Sequence, residues 1–392
     1  MAKKLTPKRN FYHSIHLWIP NIFGFKGGIQ VYSAFLLKAL HQADPNAKYD
    51  AFLKNDMCKA GNFFDTNPIQ FHFSGRIANR LRTFTFTMQL IVGALRKAPE
   101  LVISTHINYT PVACWLKQLL GIPYWVVAHG IEVWNLKNPQ LIKGLRHADR
   151  ILSVSEYTRQ RLLSEQNLDP DQVVLLPNTF DHTRFQIAPK PDYLLKRYHL
   201  TPKQPVVLTV ARLDPADRYK GYDQILQALP QIRQQIPSIH YLLVGKGKDH
   251  PRIEQLIASL DLQDCVTLAG FIPDSELGDH YNLCDVFAMP SKGEGFGIVY
   301  LEAIACGKPT LGGDQDGALD ALKNGELGAL VNPDDIDRIA DTITQLIQGT
   351  YPNSILYQPQ VLRQKVLEYY GFEQFQKTLA SLIQTFLKES NK

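Results

Sequence analysis

The chain has 392 residues, of which 45% are hydrophobic and 20% charged, and its formal net charge is +5. That length exceeds what one hydrophobic core usually serves, so we expect two domains in a globular protein. No run of about 18 apolar residues predicts a spanning helix. The basic first twenty residues lack the apolar segment of a signal peptide. Five cysteines without a CxxC pair argue against a zinc site and indicate reduced thiols, as in the cytoplasm.

Short apolar runs alternate with helical stretches in the first half of the chain. Strands are predicted at 14–19, 101–104, 124–128, 151–154 and 173–176. Helices are predicted between several of them, at 32–41 and 156–165. Nearly continuous apolar strands that alternate with helices are typical of a parallel sheet covered on both faces.

The same pattern restarts after a segment rich in proline and charge at 177–202. A helix is predicted at 222–236, and strands at 205–210, 240–245, 265–268, 286–289 and 309–311. We therefore predict an α/β protein with two Rossmann-like, doubly wound domains, 1–188 and 189–371, facing a cleft. A C-terminal helix within 372–392 is expected to pack back on the first domain. Ligands of such sheets bind beyond the carboxyl ends of the strands.

A glycine-rich segment at 291–302 follows the predicted strand 286–289 and carries two glutamates, Glu294 and Glu302. Glycines allow a ligand to approach the backbone, and the N–H groups at a helix start favour anions or hydroxyls. Carboxylates accept hydrogen bonds from sugar and ribose hydroxyls. Taken alone, the segment is as consistent with a simple turn followed by a solvated helix as with a ligand-binding loop.

Two cations follow the predicted strand 205–210. Arg212 comes directly after it, and Lys220 precedes Gly221 a few residues on. An arginine fork and a lysine ammonium at a strand's carboxyl end can hold a diphosphate. By itself this pair is more often a solvated charged loop.

Together, these features resemble the family-4 group of retaining glycosyltransferases with the GT-B fold. Glu294 and Glu302 match the family's E-x7-E motif, and Arg212 and Lys220 match its paired phosphate-binding residues. Further matching residues, in the expected order, are Gly27 and Gly28, His129 in His-Gly-Ile-Glu-Val-Trp, the segment 147–155 and the segment 177–181. The resemblance covers nearly the whole chain.

The resemblance implies a role for each matching residue. Arg212, Lys220 and the glycine loop at Gly27 and Gly28 would bind the donor phosphates, and Glu302 would accept the ribose hydroxyls. The transferred sugar would be held by Glu294 and the backbone of Gly295, Phe296, Gly297 and Ile298. His129 would lie beside the reacting centre, with Glu294, and a structural histidine is the alternative.

The same resemblance implies the reaction. A hexose would move from a nucleotide sugar to a glycan or lipid-linked acceptor, with retention, in polysaccharide or glycolipid synthesis. The mannosyltransferase branch makes GDP-mannose the first donor expected and UDP-glucose the second. An epimerase on the same fold, a nicotinamide-dependent oxidoreductase and a non-catalytic sugar-nucleotide binder remain alternatives, although no convincing GxGxxG turn is found.

Some features are open to misreading. Asp314 and Asp316 form a D-x-D pattern, which we interpret as a polar loop, and we expect neither a metal nor another cofactor. The glycines of 244–247 are too few to predict a nicotinamide site. Asp320 replaces the glutamate of many relatives, and the insert 214–219 separates Arg212 from Lys220.

The segment 75–99 is both basic and apolar: it contains five cations and no acidic residue. Such a helix could lie on an anionic membrane surface, at the inner face of the membrane. A half-buried domain helix is the alternative. No nucleic-acid-binding motif is found, so we expect no nucleic-acid partner.

Overall fold

The computed structural model describes residues 14–24, 27–59 and 69–390. It has two compact units, and unit 2 comprises Ser155–Tyr157 and Thr179–Gly371, while the remaining residues form unit 1. The division after residue 178 precedes the predicted boundary at 188. The Thr179 hydroxyl donates to the Tyr370 carbonyl at 2.7 Å, and the Phe185 ring packs edge-on against Tyr281. These contacts join the segment 179–188 to unit 2.

Unit 1 contains a parallel seven-stranded sheet. Its strands are β1 (Ser14–Ile19), β2 (Lys48–Leu53), β3 (Ile69–Phe73), β4 (Leu101–Ser104), β5 (Tyr124–Ala128), β6 (Arg150–Ser153) and β7 (Val173–Leu175). The strand order is β3-β2-β1-β4-β5-β6-β7. The carboxyl ends of β2, β1, β4 and β5 therefore follow one another along one edge of this sheet.

Unit 2 contains a parallel six-stranded sheet. Its strands are β8 (Val206–Val210), β9 (His240–Val244), β10 (Val266–Gly270), β11 (Val286–Met289), β12 (Thr310–Gly313) and β13 (Ala329–Val331). The order is β10-β9-β8-β11-β12-β13. Strands β8 and β11 are direct neighbours, with Val207 opposite Val286. Because both run in the same direction, the loops that follow them meet at one edge.

Helices cover the sheets. They are α1 (Gly28–Ala43), α2 (Asn79–Lys97), α3 (Thr110–Leu120), α4 (Pro139–Arg146), α5 (Glu156–Gln166), α6 (Asp192–Arg197), α7 (Tyr222–Gln235), α8 (His250–Ser259), α9 (Asp274–Leu283), α10 (Ile298–Ala305), α11 (Ala318–Ala321), α12 (Ile336–Gln348), α13 (Pro359–Tyr370) and α14 (Phe372–Ser390). Across the described ranges, none of them is both long and apolar enough to cross a bilayer.

The C-terminal helix α14 packs against helix α1 and strand β5 of unit 1. Phe375 meets Tyr32 edge-on with ring centroids 5.5 Å apart, and Phe386 meets Trp125 in the same way at 5.4 Å. The apolar residues of α14 recur at helical spacing, so one face is buried while the other is solvated. These aromatic contacts assign α14 to the first unit although it follows the second in sequence.

Candidate active site

The loops after β8 and β11 join at the edge of the unit 2 sheet. The Lys292 N–H donates to the Tyr219 carbonyl at 2.9 Å. A Cβ at Gly293 would lie 2.8 Å from the Tyr219 ring, so only glycine fits there without a shift. The Lys220 ammonium forms an ion pair with the Glu294 carboxylate. The structure thus brings together a predicted phosphate-binding residue and a predicted sugar-binding residue.

Asp316 holds this glycine-rich loop in place. Its Oδ2 atom accepts hydrogen bonds from the Ser291 hydroxyl at 2.7 Å and from the N–H groups of Gly293 and Glu294 at 2.8 and 2.7 Å. Its Oδ1 atom accepts the Ala318 N–H at 2.9 Å. The side chain is fully buried, and burial raises its pKa to about 6. The second aspartate of the D-x-D pattern is therefore a loop anchor.

The segment Gly295–Ile298 presents backbone groups. The Phe296 ring is buried edge-on against Tyr370, 5.3 Å between centroids, so this residue offers a ligand its main chain only. Gly297 has a φ of +90° and precedes α10. The first N–H groups of a helix have no intrahelical acceptor. They are available to oxygen atoms of a ligand.

Glu302 lies in the second turn of α10 and is half-buried. Its carboxylate accepts a hydrogen bond from the Tyr281 hydroxyl at 2.7 Å. Burial raises the pKa of Glu302 to about 7, although the Tyr281 bond favours the ionised form. The two glutamates of the motif therefore have different partners and different charge environments.

Arg212 is fixed by a residue of the insert at 214–219. Its Nε and one terminal nitrogen donate to the two oxygens of Asp217 at 2.5 and 3.0 Å. Asp217 is buried, whereas 59% of the Arg212 side chain is exposed. The insert forms a 3-10 helix, Pro215–Lys220. Among the described residues, Asp217 engages two of the five N–H donors of Arg212, and the exposure of the side chain leaves the others able to bind an anion.

In unit 1, the predicted glycine loop is the start of α1. Gly27 is extended and caps the helix, and Gly28 is its first residue. A Cβ at Gly28 would meet nothing within 4 Å among the described atoms, so the space in front of it is open. The preceding loop is held by the buried carboxylate of Asp56, which accepts the N–H groups of residues 22, 23 and 24 at 2.6, 3.2 and 2.8 Å.

His129 follows β5 in unit 1. Its Nε2 lies 3.0 Å from the Thr105 carbonyl oxygen. Because a carbonyl only accepts, the proton of the neutral ring is on Nε2 and Nδ1 is unprotonated. Burial lowers the pKa of His129 to about 4. The backbone N–H of His129 donates to Glu132 at 2.6 Å, and Tyr32 meets the ring edge-on.

Asp320, which stands where many relatives have glutamate, makes backbone contacts in unit 2. Its two carboxylate oxygens accept the N–H groups of Glu156 and Tyr157 at 2.9 and 3.1 Å. Burial raises its pKa. An acidic residue at these amides caps the first turn of α5.

Models of glycosyltransferase domains match both halves of the chain. The profile "Glycosyltransferase Family 4" matches residues 26–184, and the profile "Glycosyl transferases group 1" matches residues 194–357. Together the two matches span most of the chain, and the first carries the name of the family that the sequence resembles. A "GDP-mannose-dependent alpha-(1-6)-phosphatidylinositol monomannoside mannosyltransferase" of Mycolicibacterium smegmatis is 35% identical over 235 residues. That match covers 56% of this chain and only 59% of the relative.

A second relative is the "D-inositol 3-phosphate glycosyltransferase" of Kineococcus radiotolerans, 32% identical over 46% of this chain and 43% of its own. Two solved structures share the fold. Sucrose-phosphate synthase from Thermosynechococcus elongatus has a TM-score of 0.77 at 22% identity, covering 96% of this chain and all of that one. Anabaena HepE, solved with UDP and glucose, has a TM-score of 0.76 at 18% identity, covering 95% and 100%. Both confirm the GT-B fold class.

Several residues of this site are not evident from the motifs. Asp316, Asp217 and Asp56 act on loops, and Tyr281 donates to Glu302. Each aspartate lies in a polar segment just after or between predicted elements, which is typical of loop residues in general. The sequence signal is therefore weak, because the partner of each becomes visible only in the folded chain.

Proposed function

We propose that this chain is a retaining glycosyltransferase that moves a hexose from a nucleotide sugar to a glycan or lipid-linked acceptor. The observation that carries the proposal is the ion pair of Lys220 with Glu294 on a loop anchored by Asp316. A cation for phosphate and a carboxylate for sugar hydroxyls stand next to each other there. A nucleotide sugar contains both groups in that order.

The mechanism follows from charge. Cleavage of the bond between sugar and phosphate develops an oxocarbenium-like sugar and a more negative diphosphate. Arg212 and Lys220 stabilise the departing diphosphate more strongly as its charge grows, and this lowers the barrier. A cation fixed by Asp217 needs little reorganisation during the reaction. Retention follows where the leaving phosphate oxygen takes the acceptor's proton on the same face of the sugar.

Of the nucleotide sugars, we propose GDP-mannose as the first candidate donor and UDP-glucose as the second. The mycobacterial relative is named for GDP-mannose and for a phosphatidylinositol mannoside, and HepE was solved with UDP and glucose. We place the reaction in polysaccharide or glycolipid synthesis, without a metal or other cofactor.

The donor is tested by thermal stabilisation with a panel of nucleotide sugars, since a ligand that binds only the folded state raises Tm. One nucleotide sugar is expected to stabilise the wild type, and Lys220→Ala and Glu302→Ala are expected to lose this effect. Lys365→Ala is the matched control, because Lys365 forms a 2.6 Å ion pair with Glu326 elsewhere in unit 2. Stabilisation by a nicotinamide cofactor alone would overturn the proposal.

The reaction is tested by incubating the stabilising donor with and without candidate acceptors. Transfer to an acceptor, with the donor's anomeric configuration in the product by NMR, supports a retaining transferase. Conversion of the sugar nucleotide without an acceptor would instead identify an epimerase.

We also propose that α2 binds the anionic inner face of a membrane. Besides its buried face, α2 has an exposed apolar face of Leu81, Phe84, Met88 and Leu95, with Phe84 69% exposed. The neighbouring helix α3 adds exposed Trp115, Leu119 and Leu120. Arg80 and Arg96 are exposed at the two ends of α2. Apolar side chains flanked by cations are typical of helices that lie in the headgroup region.

Vesicle flotation tests this surface. The wild type is expected to float with phosphatidylglycerol vesicles and not with phosphatidylcholine vesicles, and Phe84→Ser should reduce flotation. Phe271→Ser is the matched control, since Phe271 is exposed to a similar degree (64%) in unit 2. Equal flotation of wild type and Phe84→Ser would refute the proposal.

A further inference from the structure

The insert 214–219 lies between the two cations that are predicted to bind the donor diphosphate. Arg212 precedes it, and Lys220 ends the 3-10 helix that it forms. Asp217 of this helix holds Arg212 through two hydrogen bonds, at 2.5 and 3.0 Å. The position of both cations therefore depends on how firmly this helix is attached to the rest of unit 2.

Arg218 attaches the helix to the loop after β9. Its Nε lies 3.2 and 3.0 Å from the two carboxylate oxygens of Asp249, and one terminal nitrogen donates to Oδ1 at 2.6 Å. Two nitrogens of the guanidinium thus meet both oxygens of the carboxylate, which is the geometry in which this pair is strongest. The Asp249 side chain is only 1% exposed, so water screens this contact less than it screens a fully exposed pair.

Asp249 is itself fixed from other directions. The Arg252 guanidinium donates to both of its oxygens, over 2.6 to 3.0 Å, and the buried Tyr222 hydroxyl donates to Oδ2 at 3.0 Å. Its backbone N–H donates to the Leu213 carbonyl at 2.9 Å. The hydrogen bonds from Arg252 and Arg218 hold the pKa of Asp249 far below its usual range, so this carboxylate is ionised at neutral pH.

The charges of this cluster balance one another. A terminal nitrogen of Arg252 also donates to Asp223, at 2.8 Å, so two arginines meet two carboxylates. Because each charge has a partner of opposite sign, the cluster does not require an anionic ligand. Its contacts instead join three segments of unit 2, namely the insert, the start of α7 and the loop after β9.

Backbone contacts fix the loop after β9 in turn. A Cβ atom at Gly247 would overlap the Leu213 carbonyl oxygen, so only glycine allows the two loops to approach so closely. The Leu213 N–H donates to the Lys246 carbonyl at 3.1 Å. Asp249 is therefore a fixed point of the sheet edge, against which Arg218 can hold the insert.

We propose that Arg218 and Asp249 are positioning residues for donor binding, and that their ion pair holds the insert so that Arg212 and Lys220 face the diphosphate together. This assignment rests on the proposed transferase function, because that function supplies the diphosphate. Arg218 and Asp249 act through the insert without touching the ligand. Cations that are held in place before binding lose less free energy when the ligand arrives than cations on a loose loop.

Calorimetry with GDP and UDP tests the role of Arg218. Arg218→Gln is expected to raise the Kd of the diphosphate that the wild type binds by about fivefold, because the insert must then be ordered on binding. Arg218→Lys keeps the charge and should recover part of the affinity. Arg233→Gln is the matched control, since Arg233 donates to both oxygens of Asp264 at 3.0 and 2.6 Å beyond the other end of α7.

Asp249→Asn separates positioning from direct contact of Arg218 with the ligand. The amide keeps the shape of the carboxylate but leaves Arg218 without this counter-charge. If the pair positions the insert, Asp249→Asn should weaken diphosphate binding as Arg218→Gln does, and both changes together should weaken it no further. If Arg218 binds the diphosphate directly, Asp249→Asn should leave the affinity unchanged or increase it, and the proposal is overturned.

The unliganded Tm shows whether a variant is folded. Arg218 is 46% exposed, so Arg218→Gln should keep a Tm close to that of the wild type even if Asp249→Asn does not. In a working transferase, Arg218→Gln should lower kcat/KM for the donor and leave KM for the acceptor unchanged. Equal diphosphate affinity of wild type and Arg218→Gln would overturn this inference alone, whereas a wild type that binds neither GDP nor UDP would overturn the proposed function with it.

Discussion

The backbone N–H of Glu294 donates to the buried carboxylate of Asp316 at 2.7 Å, and Ser291 and Gly293 donate to the same oxygen. One oxygen accepts three hydrogen bonds well only when the carboxylate is ionised. The titratable groups around it are the Glu294 carboxylate and the phenols of Tyr219 and Tyr300. Burial raises the pKa values of the two phenols, so both stay neutral. The conformation of the glycine-rich loop therefore depends on the charge of Asp316.

We predict that donor affinity falls as Asp316 becomes protonated. Its pKa of about 6 means that roughly a tenth of it is ionised at pH 5, so this group alone should make affinity about tenfold weaker there than at pH 8, in addition to the effect of Glu302. Asp316→Asn should weaken donor binding at pH 8 and show no further loss between pH 7 and pH 5 from this group. Isothermal titration with the donor at each pH measures both effects.

A stability measurement distinguishes this role from a purely structural one. Burial raises the pKa of Asp316, so the folded protein holds this proton more tightly than the unfolded chain. The ionised group therefore lowers the free energy of unfolding above about pH 6, and protonation at lower pH removes that cost. Asp316→Asn should change Tm little at pH 8 while donor binding falls. A large loss of Tm with unchanged donor affinity would contradict the prediction.

The attachment of α14 predicts a stability effect in unit 1. Phe386 is 7% exposed and packs on Trp125. Phe386→Ala should lower the free energy of unfolding by about 3 kcal/mol, because it removes a buried ring and leaves a cavity. Phe84→Ala is the matched control at an exposed position and should have little effect. Urea denaturation of both variants measures the difference.

Local sequence patterns were enough to predict the fold and the site residues where an apolar run is followed directly by glycines. The strand Val286–Met289 and the glutamates after it could be predicted because a buried strand, glycines and a helix follow one another directly in sequence. Strands β2 and β3 could not, since Asp50 and His72 interrupt their apolar runs. In the fold these residues pair with each other at 2.7 Å, and Asp50 also pairs with Lys97.

The residues that hold the site loops in place could not be predicted from the sequence, because their partners are distant in the chain. Asp316 lies 22 residues after Glu294 and meets it only because β11 and β12 are neighbours in the sheet. The pairing of Lys220 with Glu294, 74 residues apart, needs the adjacency of β8 and β11 in the same way. The type of a residue indicates what chemistry it can perform, but the order of strands in the sheet decides which distant residue it contacts.

The ion pair of Lys220 with Glu294 predicts unequal effects of its two halves. Lys220→Ala should raise the Kd of the nucleoside diphosphate itself by at least about tenfold, because it removes a charge-assisted contact to phosphate. Glu294→Gln should leave diphosphate binding nearly unchanged and weaken the complete nucleotide sugar. Calorimetry with both ligands measures these effects, and equal losses for both variants on both ligands would contradict the assignment.

His129 is expected to act in its neutral form. Its pKa near 4 means that its charge stays constant between about pH 6 and 8, so it should contribute no pH dependence to kcat in that range. His129→Ala should lower kcat by about 10²-fold or more with little change in donor Kd. Steady-state kinetics and donor calorimetry test this together. A loss of donor affinity without a loss of kcat would contradict it.

Glu302 predicts a second pH dependence, with its midpoint near pH 7. Only the ionised carboxylate accepts hydrogen bonds from both ribose hydroxyls, so donor affinity should be about tenfold lower at pH 6 than at pH 8. Glu302→Gln should remove this dependence. Tyr281→Phe removes the hydroxyl that stabilises the ionised form at 2.7 Å, so it should move the midpoint above pH 7. A midpoint that stays at the same pH in Tyr281→Phe would show that another group titrates.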